Sequence, residues 1–286
     1  MIMKSFVTIL KFIVFPVTVA FCQQLDPSPY DPVNDPDIDL YMAHWKESMP
    51  RHTHGSLVER DILIRGDAIN PPRRGAVLEY LNRFDFGILE AGNSTVLTKL
   101  EGEQEIFYIT SGTGVIKAGG KEANLFTGCC IFIPEGLEFT MHNTGDIPLT
   151  MYVIVEPVPS GFIPRREMGI KNEHLIPFNN TIGHWCYLEK DFFLKSDGLA
   201  TIHGICTLTL DPMTIGHPHF HVKGCEEIWT TVSGQNTALL GKEIRHQPSG
   251  MAYMISPDGK TNHANINVSE TTSLVLLYVS VRKDIE

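Results

Sequence analysis

The chain has 286 residues, 43% hydrophobic and 20% charged, with a formal net charge of −10 and a pI near 5.6. That length allows one large or two ordinary domains, and the composition is globular. An acidic chain without basic runs argues against nucleic acid as a partner.

Lys4 and Lys11 flank or interrupt an otherwise apolar run that ends at Ala20, and Ala20 and Cys22 put small residues at −3 and −1 before Gln23. Residues 1–22 therefore read as a cleavable signal peptide, too short to be a membrane span, and imply a secreted or periplasmic protein. A lipoprotein needs a small residue before Cys22, where Phe21 stands. Residues 23–75 are expected to form an extended N-terminal arm. Residues 23–40 hold four prolines and five aspartates, a composition for a linker. A short helical or irregular lead at 41–46 and a strand at 57–64 follow, then the turn-rich Pro71-Pro72-Arg73-Arg74-Gly75.

From Ala76 the pattern is all-β. Short apolar runs at 106–109, 114–117, 131–133 and 149–155 alternate with Gly, Pro and Asn, the punctuation of a sandwich or small barrel. A Pro/Gly-rich connection follows, and the β pattern restarts at 202–210, 228–232, 237–240, 252–255 and 273–281. Of six cysteines, five lie beyond Cys22, with no disulfide or zinc spacing, and most read as small buried hydrophobes. Asn93, Asn179 and Asn267 each open an N-x-Ser/Thr sequon.

The two β regions repeat. Glu105-Ile-Phe through Ser111-Gly112 matches Glu227-Ile-Trp through Ser233-Gly234. The offset rises from 121 (Thr98 to His219) through 122 (Glu105 to Glu227) and 123 (Pro134 to Pro257) to 124 (Asn143 to Asn267). Single-residue loop insertions in a duplicated unit produce such a drift.

The richest stretch is Gly216 to Trp229, with His217, His219 and His221 alternating ahead of Glu226 and Glu227. On a strand, alternate side chains share a face roughly 6.5–7 Å apart. Two imidazoles so placed converge on one transition-metal ion. Adjacent Glu226 and Glu227 face opposite ways. Glu227 is favoured inward, because it keeps the six-residue run to Gly234 and matches Glu105. His52-Thr53-His54 has the same shape as the histidine run. It lies outside both repeats, with only Glu59 near it in sequence, and is not favoured as a metal site. The arginines around it (Arg51, Arg60, Arg65, Arg73, Arg74) read as ion-pair partners on an acidic surface.

These residues resemble the cupin superfamily, whose two motifs read G-x5-H-x-H-x3–4-E-x6-G and G-x5-P-x-G-x2-H-x3-N. The C-terminal half carries His219-x-His221, Glu227, Gly234, Pro257-x-Gly259 and His263-x3-Asn267, with one-residue extensions before Glu227 and His263 and Met213 in place of the usual first glycine. The resemblance implies a bicupin: an N-terminal barrel over 76–157, a connection over 158–195 and a C-terminal barrel over 196–286. It implies metal ligation by His219, His221, Glu227 and His263. The corresponding residues of the first half are Thr98, Leu100, Glu105 and Phe139, which implies a barrel without metal.

The implied cofactor is one divalent transition metal (Mn, Fe, Zn, Ni or Cu) in the C-terminal domain. His217 and Tyr253 are the candidates for proton transfer. Trp229, Thr231 and Asn265 share the ligands' parity and are expected to line the substrate space, with His203 a weaker inward candidate. The expected partner is a small molecule, with no membrane span and with a homodimer allowed. The expected function is an exported enzyme acting on a small oxygenated, carbohydrate-derived or carboxylated substrate by lyase, isomerase or ring-opening chemistry. Two alternatives are a quercetinase-like dioxygenase and a non-catalytic ligand-binding cupin with a structural metal.

Overall fold

In the computed structural model, residues 28–179 and 186–282 are described. The signal-peptide expectation over 1–22 therefore lies outside the described residues. The chain is all-β, and the two sequence repeats form two barrels.

In the first barrel a large sheet runs in the order 169–172, 129–133, 103–111, 149–157, 83–89, 57–65 and 51–53. A smaller sheet holds 98–99, 138–143, 113–118 and 121–126. The second barrel repeats the plan, with a large sheet of 42–44, 251–255, 225–233, 274–282, 202–210 and 188–194, and a small one of 214–215, 263–267, 236–240 and 243–247.

The segments expected as arm and connection take part in these sheets. Strand Leu57–Arg65 pairs antiparallel with Arg83–Leu89. The expected helical or irregular lead is strand Met42–His44, paired with Met251–Ile255 of the second barrel, and then a 3-10 helical turn over Trp45–Glu47. Within the connection, Gly169–Asn172 extends the first barrel and Leu188–Leu194 the second. These short edge pieces have weak alternation, so their pairing is decided by the sheets they join.

Alternation places the core. Along Glu103–Ser111, Glu105, Phe107 and Ile109 turn into the first barrel, whose interior is apolar: Leu57, Leu100, Phe107, Phe139, Met151 and Val153 among others. The opposite face of that strand, with Ile106 and Tyr108, packs against the second barrel in one shared cluster containing Phe192, Phe193, Trp229 and Tyr253. Tyr152 donates to the Thr231 carbonyl at 3.2 Å across this interface. Two buried acids cap backbone ends there. Glu156 accepts from the amides of Ala200, Thr201 and Ile202, and Glu226 from those of Glu79 and Tyr80.

The described cysteines are free thiols, four buried and Cys186 exposed. The Asn267 side chain is buried and donates to three carbonyls, so its sequon is closed in the folded chain, whereas Asn93 is exposed.

Candidate metal centre

His219 and His221 stand in the loop after Thr214–Ile215, not on a continuous strand; His219 alone bridges to His263. The one-residue extension before Glu227 lies in this loop, which ends in a left-handed Gly224 before strand Cys225–Ser233 begins. His263 opens strand His263–Asn267 on the neighbouring small sheet.

The geometry draws these residues together. Ring nitrogens of His219, His221 and His263 lie within 4.8 Å of one another. That approaches the span a single ion bridges with bonds of about 2.1 Å. Glu227 closes the group, with Oε1 2.9 Å from His221 Nε2 and Oε2 3.4 Å from His263 Nε2. Adjacent Glu226 points the other way, to the Glu79 and Tyr80 amides. The carboxylate beside the histidines is therefore Glu227, as strand alternation expects.

The electrostatics suit a cation. Burial pushes Glu227 up, but hydrogen bonds and charge from His221 and His263 hold it well below the usual carboxylate range. Burial brings His263 down to about 4. A carboxylate and a neutral imidazole are the protonation states that metal ligation needs. His263 is 1% exposed and its Nδ1 has no hydrogen-bond partner among the described residues. A buried polar atom left without a partner is costly unless something else satisfies it. The donor set, three converging imidazoles beside one buried carboxylate, fits a bound divalent ion.

Of the two proton-transfer candidates, His217 is exposed at the mouth, its ring stacked 5.8 Å from that of His219. Its carbonyl lies 2.7 Å from His219 Nδ1, which fixes that ring. Tyr253 is fully buried behind Trp229, and its hydroxyl donates to Asn265 Oδ1 at 3.0 Å.

The expected lining residues Trp229, Thr231 and Asn265 face inward but are fully buried and engaged. Thr231 donates to the Gln247 carbonyl, and Asn265 joins Asn236, Tyr253 and Tyr187. They pack the barrel beneath the site rather than an open space. His203 is a correction: it is exposed, because the pairing of Ile202–Leu210 slips between Ile202 and Gly204 and reverses the alternation there.

Two tyrosines were not singled out from the sequence. Tyr278 donates to Glu227 Oε1 at 2.5 Å. The Tyr187 ring lies 5.7 Å from Trp229 and fills the space where a side chain at Gly216 would stand. The repeat held a signal for Tyr278. Trp229 pairs with Tyr278, and its counterpart Phe107 pairs with Val153, an offset of 125 that continues the drift. A second cluster, Glu189, Asp191 and Cys206, comes within the same spacing on the adjoining strands, and burial with the charge of Asp191 pushes Glu189 up to about 7.

In the first barrel Leu100 and Phe139 are buried in the apolar core, and Thr98 donates to the Val96 carbonyl. His54 supplies the surprise. It enters this barrel and pairs with Glu105, not Glu59, while His52 stays exposed.

Comparison with known proteins agrees with this architecture. A cupin-domain family model matches residues 88–155, within the first barrel. An oxalate-binding protein of Thermotoga maritima is 36% identical over 67 residues, which are 23% of this chain and 55% of that relative, so the match spans about half its length. Among solved structures, Escherichia coli protein Ylba superposes with a TM-score of 0.65 at 17% identity, covering 86% of this chain and 92% of that one. A Bacillus subtilis oxalate decarboxylase variant superposes at 0.61 and 12% identity, covering 85% and 77%. Residues 88–155 thus match the cupin domain, and the whole chain shares the two-barrel fold of these solved structures.

Proposed function

We propose that the chain is an exported, metal-dependent bicupin that binds one divalent transition metal through His219, His221, Glu227 and His263, and acts on a small carboxylated substrate. The convergence of three imidazoles and the buried Glu227 carboxylate carries the reading. The name of the Thermotoga relative, an oxalate-binding protein, supports a carboxylate as the ligand class. The barrel beneath the site is filled by Trp229, Tyr253 and Tyr278, so a substrate approaches from the mouth, where His219 and His221 are half-exposed.

The bound ion would supply Lewis acidity and an anchor for substrate oxygens. The chain's own residues divide the remaining work. Glu227 brings one negative charge against the ion. His263 stays neutral in the interior. His217 stands where it can take or give a proton at the mouth. Tyr253 is too deep for that role and holds Asn265 in the interior network.

The filled interior favours a second reading, a binding cupin whose metal only captures the carboxylate. Metal analysis followed by incubation of the loaded protein with oxalate and sugar acids separates the two. Turnover favours the enzyme, and saturable binding without turnover favours the binder. Protein purified without stoichiometric metal, and unable to take it up, contradicts both.

A further inference from the structure

We propose that Tyr278 and Trp229 are positioning residues that fix the orientation of the Glu227 carboxylate, an inference that rests on the metal-centre reading above. Glu227 and Trp229 stand two apart on Cys225–Ser233 and share its inward face. Tyr278 lies opposite Trp229 in the register with Leu274–Arg282. Its hydroxyl donates to Oε1 of Glu227 at 2.5 Å, and Trp229 Nε1 donates to Oε2 at 3.2 Å. Each carboxylate oxygen thus has one neutral donor in addition to its histidine neighbour.

The last torsion of a glutamate is broad, so its carboxylate plane is not set by rotamer preference. Donors on opposite oxygens remove that freedom. They hold the plane toward His221 and His263, with Glu227, Trp229, Tyr278 and His263 all buried.

The first barrel serves as an internal comparison. There Glu105 keeps its place on the strand, but Phe107 stands for Trp229 and Val153 is paired opposite it. Neither can donate. Glu105 has no such pair of neutral donors: its neighbours are the His54 imidazole at 3.1 Å and the Arg83 guanidinium at 3.8 Å. Phenylalanine and valine meet the packing needs of this fold. The indole N–H and the phenol therefore answer to something other than packing. They occur in the half that has the three histidines and are missing from the half that lacks them. Both residues act through Glu227 and touch no reacting atom.

The test is metal affinity of the folded protein, measured by chelator competition with Co(II), for wild type, Tyr278→Phe and Trp229→Phe. Loss of a partner to a metal-binding carboxylate weakens binding by about 10–100-fold, and the ligand-field spectrum of bound Co(II) should change with it. Unfolding of the metal-free proteins is measured alongside. A merely structural role lowers the unfolding midpoint and leaves both affinity and spectrum unchanged, which overturns the inference. Tyr278→Phe removes a single oxygen and decides the matter if Trp229→Phe does not fold. Wild type that takes up no Co(II) defeats the metal-centre reading itself; wild type that binds, with variants that bind equally, defeats only this one.

Discussion

His54 Nε2 lies 3.1 Å from the carboxylate of Glu105, so an imidazole from outside the repeat pairs with the one motif glutamate that the first barrel has kept. The Phe139 ring, at the place of His263 in the repeat, meets His54 edge-on at 5.3 Å. The turn that delivers His54 has left-handed backbone at His54 and Gly55, and the His54 carbonyl accepts from Val96 at 2.9 Å. Where the second barrel sets three histidines against its buried glutamate, the first sets a single histidine from the hairpin at 51–65.

Replacing His54 by alanine should therefore destabilise the first barrel by about 3 kcal/mol, the scale of stranding one member of a buried pair. The pH dependence has a defined sign. Burial alone would lower the His54 pKa, but the hydrogen bond and charge of Glu105 raise it above 6.5. Glu105 is also raised above 4.5, chiefly by burial. Both groups hold protons more tightly folded than unfolded. The His54 contribution is complete below about pH 6.5 and is lost as pH rises through its raised folded value. The Glu105 contribution has the same sign and begins to fall above about pH 4.5. Denaturant titrations across this range should show wild-type stability falling with pH more steeply than that of His54→Gln. Parallel profiles would show that the pair carries no such linkage.

Met213 occupies the place of the first motif's usual glycine and has kept the glycine backbone, with φ of +55° against +72° at Gly92. A side chain in this region costs about 1–2 kcal/mol. Met213 is also mostly exposed, so little packing offsets the strain. Met213→Gly should raise stability by about 1 kcal/mol and leave metal content unchanged. Gly92→Ala should cost a similar amount through backbone strain alone, since no atom lies within 4 Å of the added carbon. Thermal unfolding of the two variants checks both signs.

Glu226 and Glu227 are neighbours with separate tasks. Glu226→Ala leaves the part-buried Glu79 amide without its acceptor, at a cost of about 1 kcal/mol, and should leave metal binding intact. Glu227→Ala should abolish metal binding. Unfolding and metal content measured on both variants give the two halves of this prediction.

Much of the fold was legible because barrel strands alternate and the repeat supplied a second reading of each element. Ile202–Leu210 is found at its expected bounds, and Leu57–Arg65 runs one residue further. Arg83–Leu89 and Lys121–Phe126 were missed, as charged residues break their apolar runs. The partnership of Glu227 with His221 and His263 followed from register, and so did the outward turn of Glu226. The His54 plug was not legible, because it depends on a hairpin folding back across some fifty residues of sequence to Glu105, and no local pattern encodes that. Tyr278 was hidden in a strand whose buried residues read only as core, although the drift of the repeat pointed to it.

Elemental analysis of purified wild type and His221→Ala tests the central claim most directly. The account predicts about one divalent transition metal per wild-type chain, as one His3Glu shell holds one ion, and a large loss in the variant, with the fold retained. Wild type lacking stoichiometric metal, or a variant that carries as much as wild type, would contradict it.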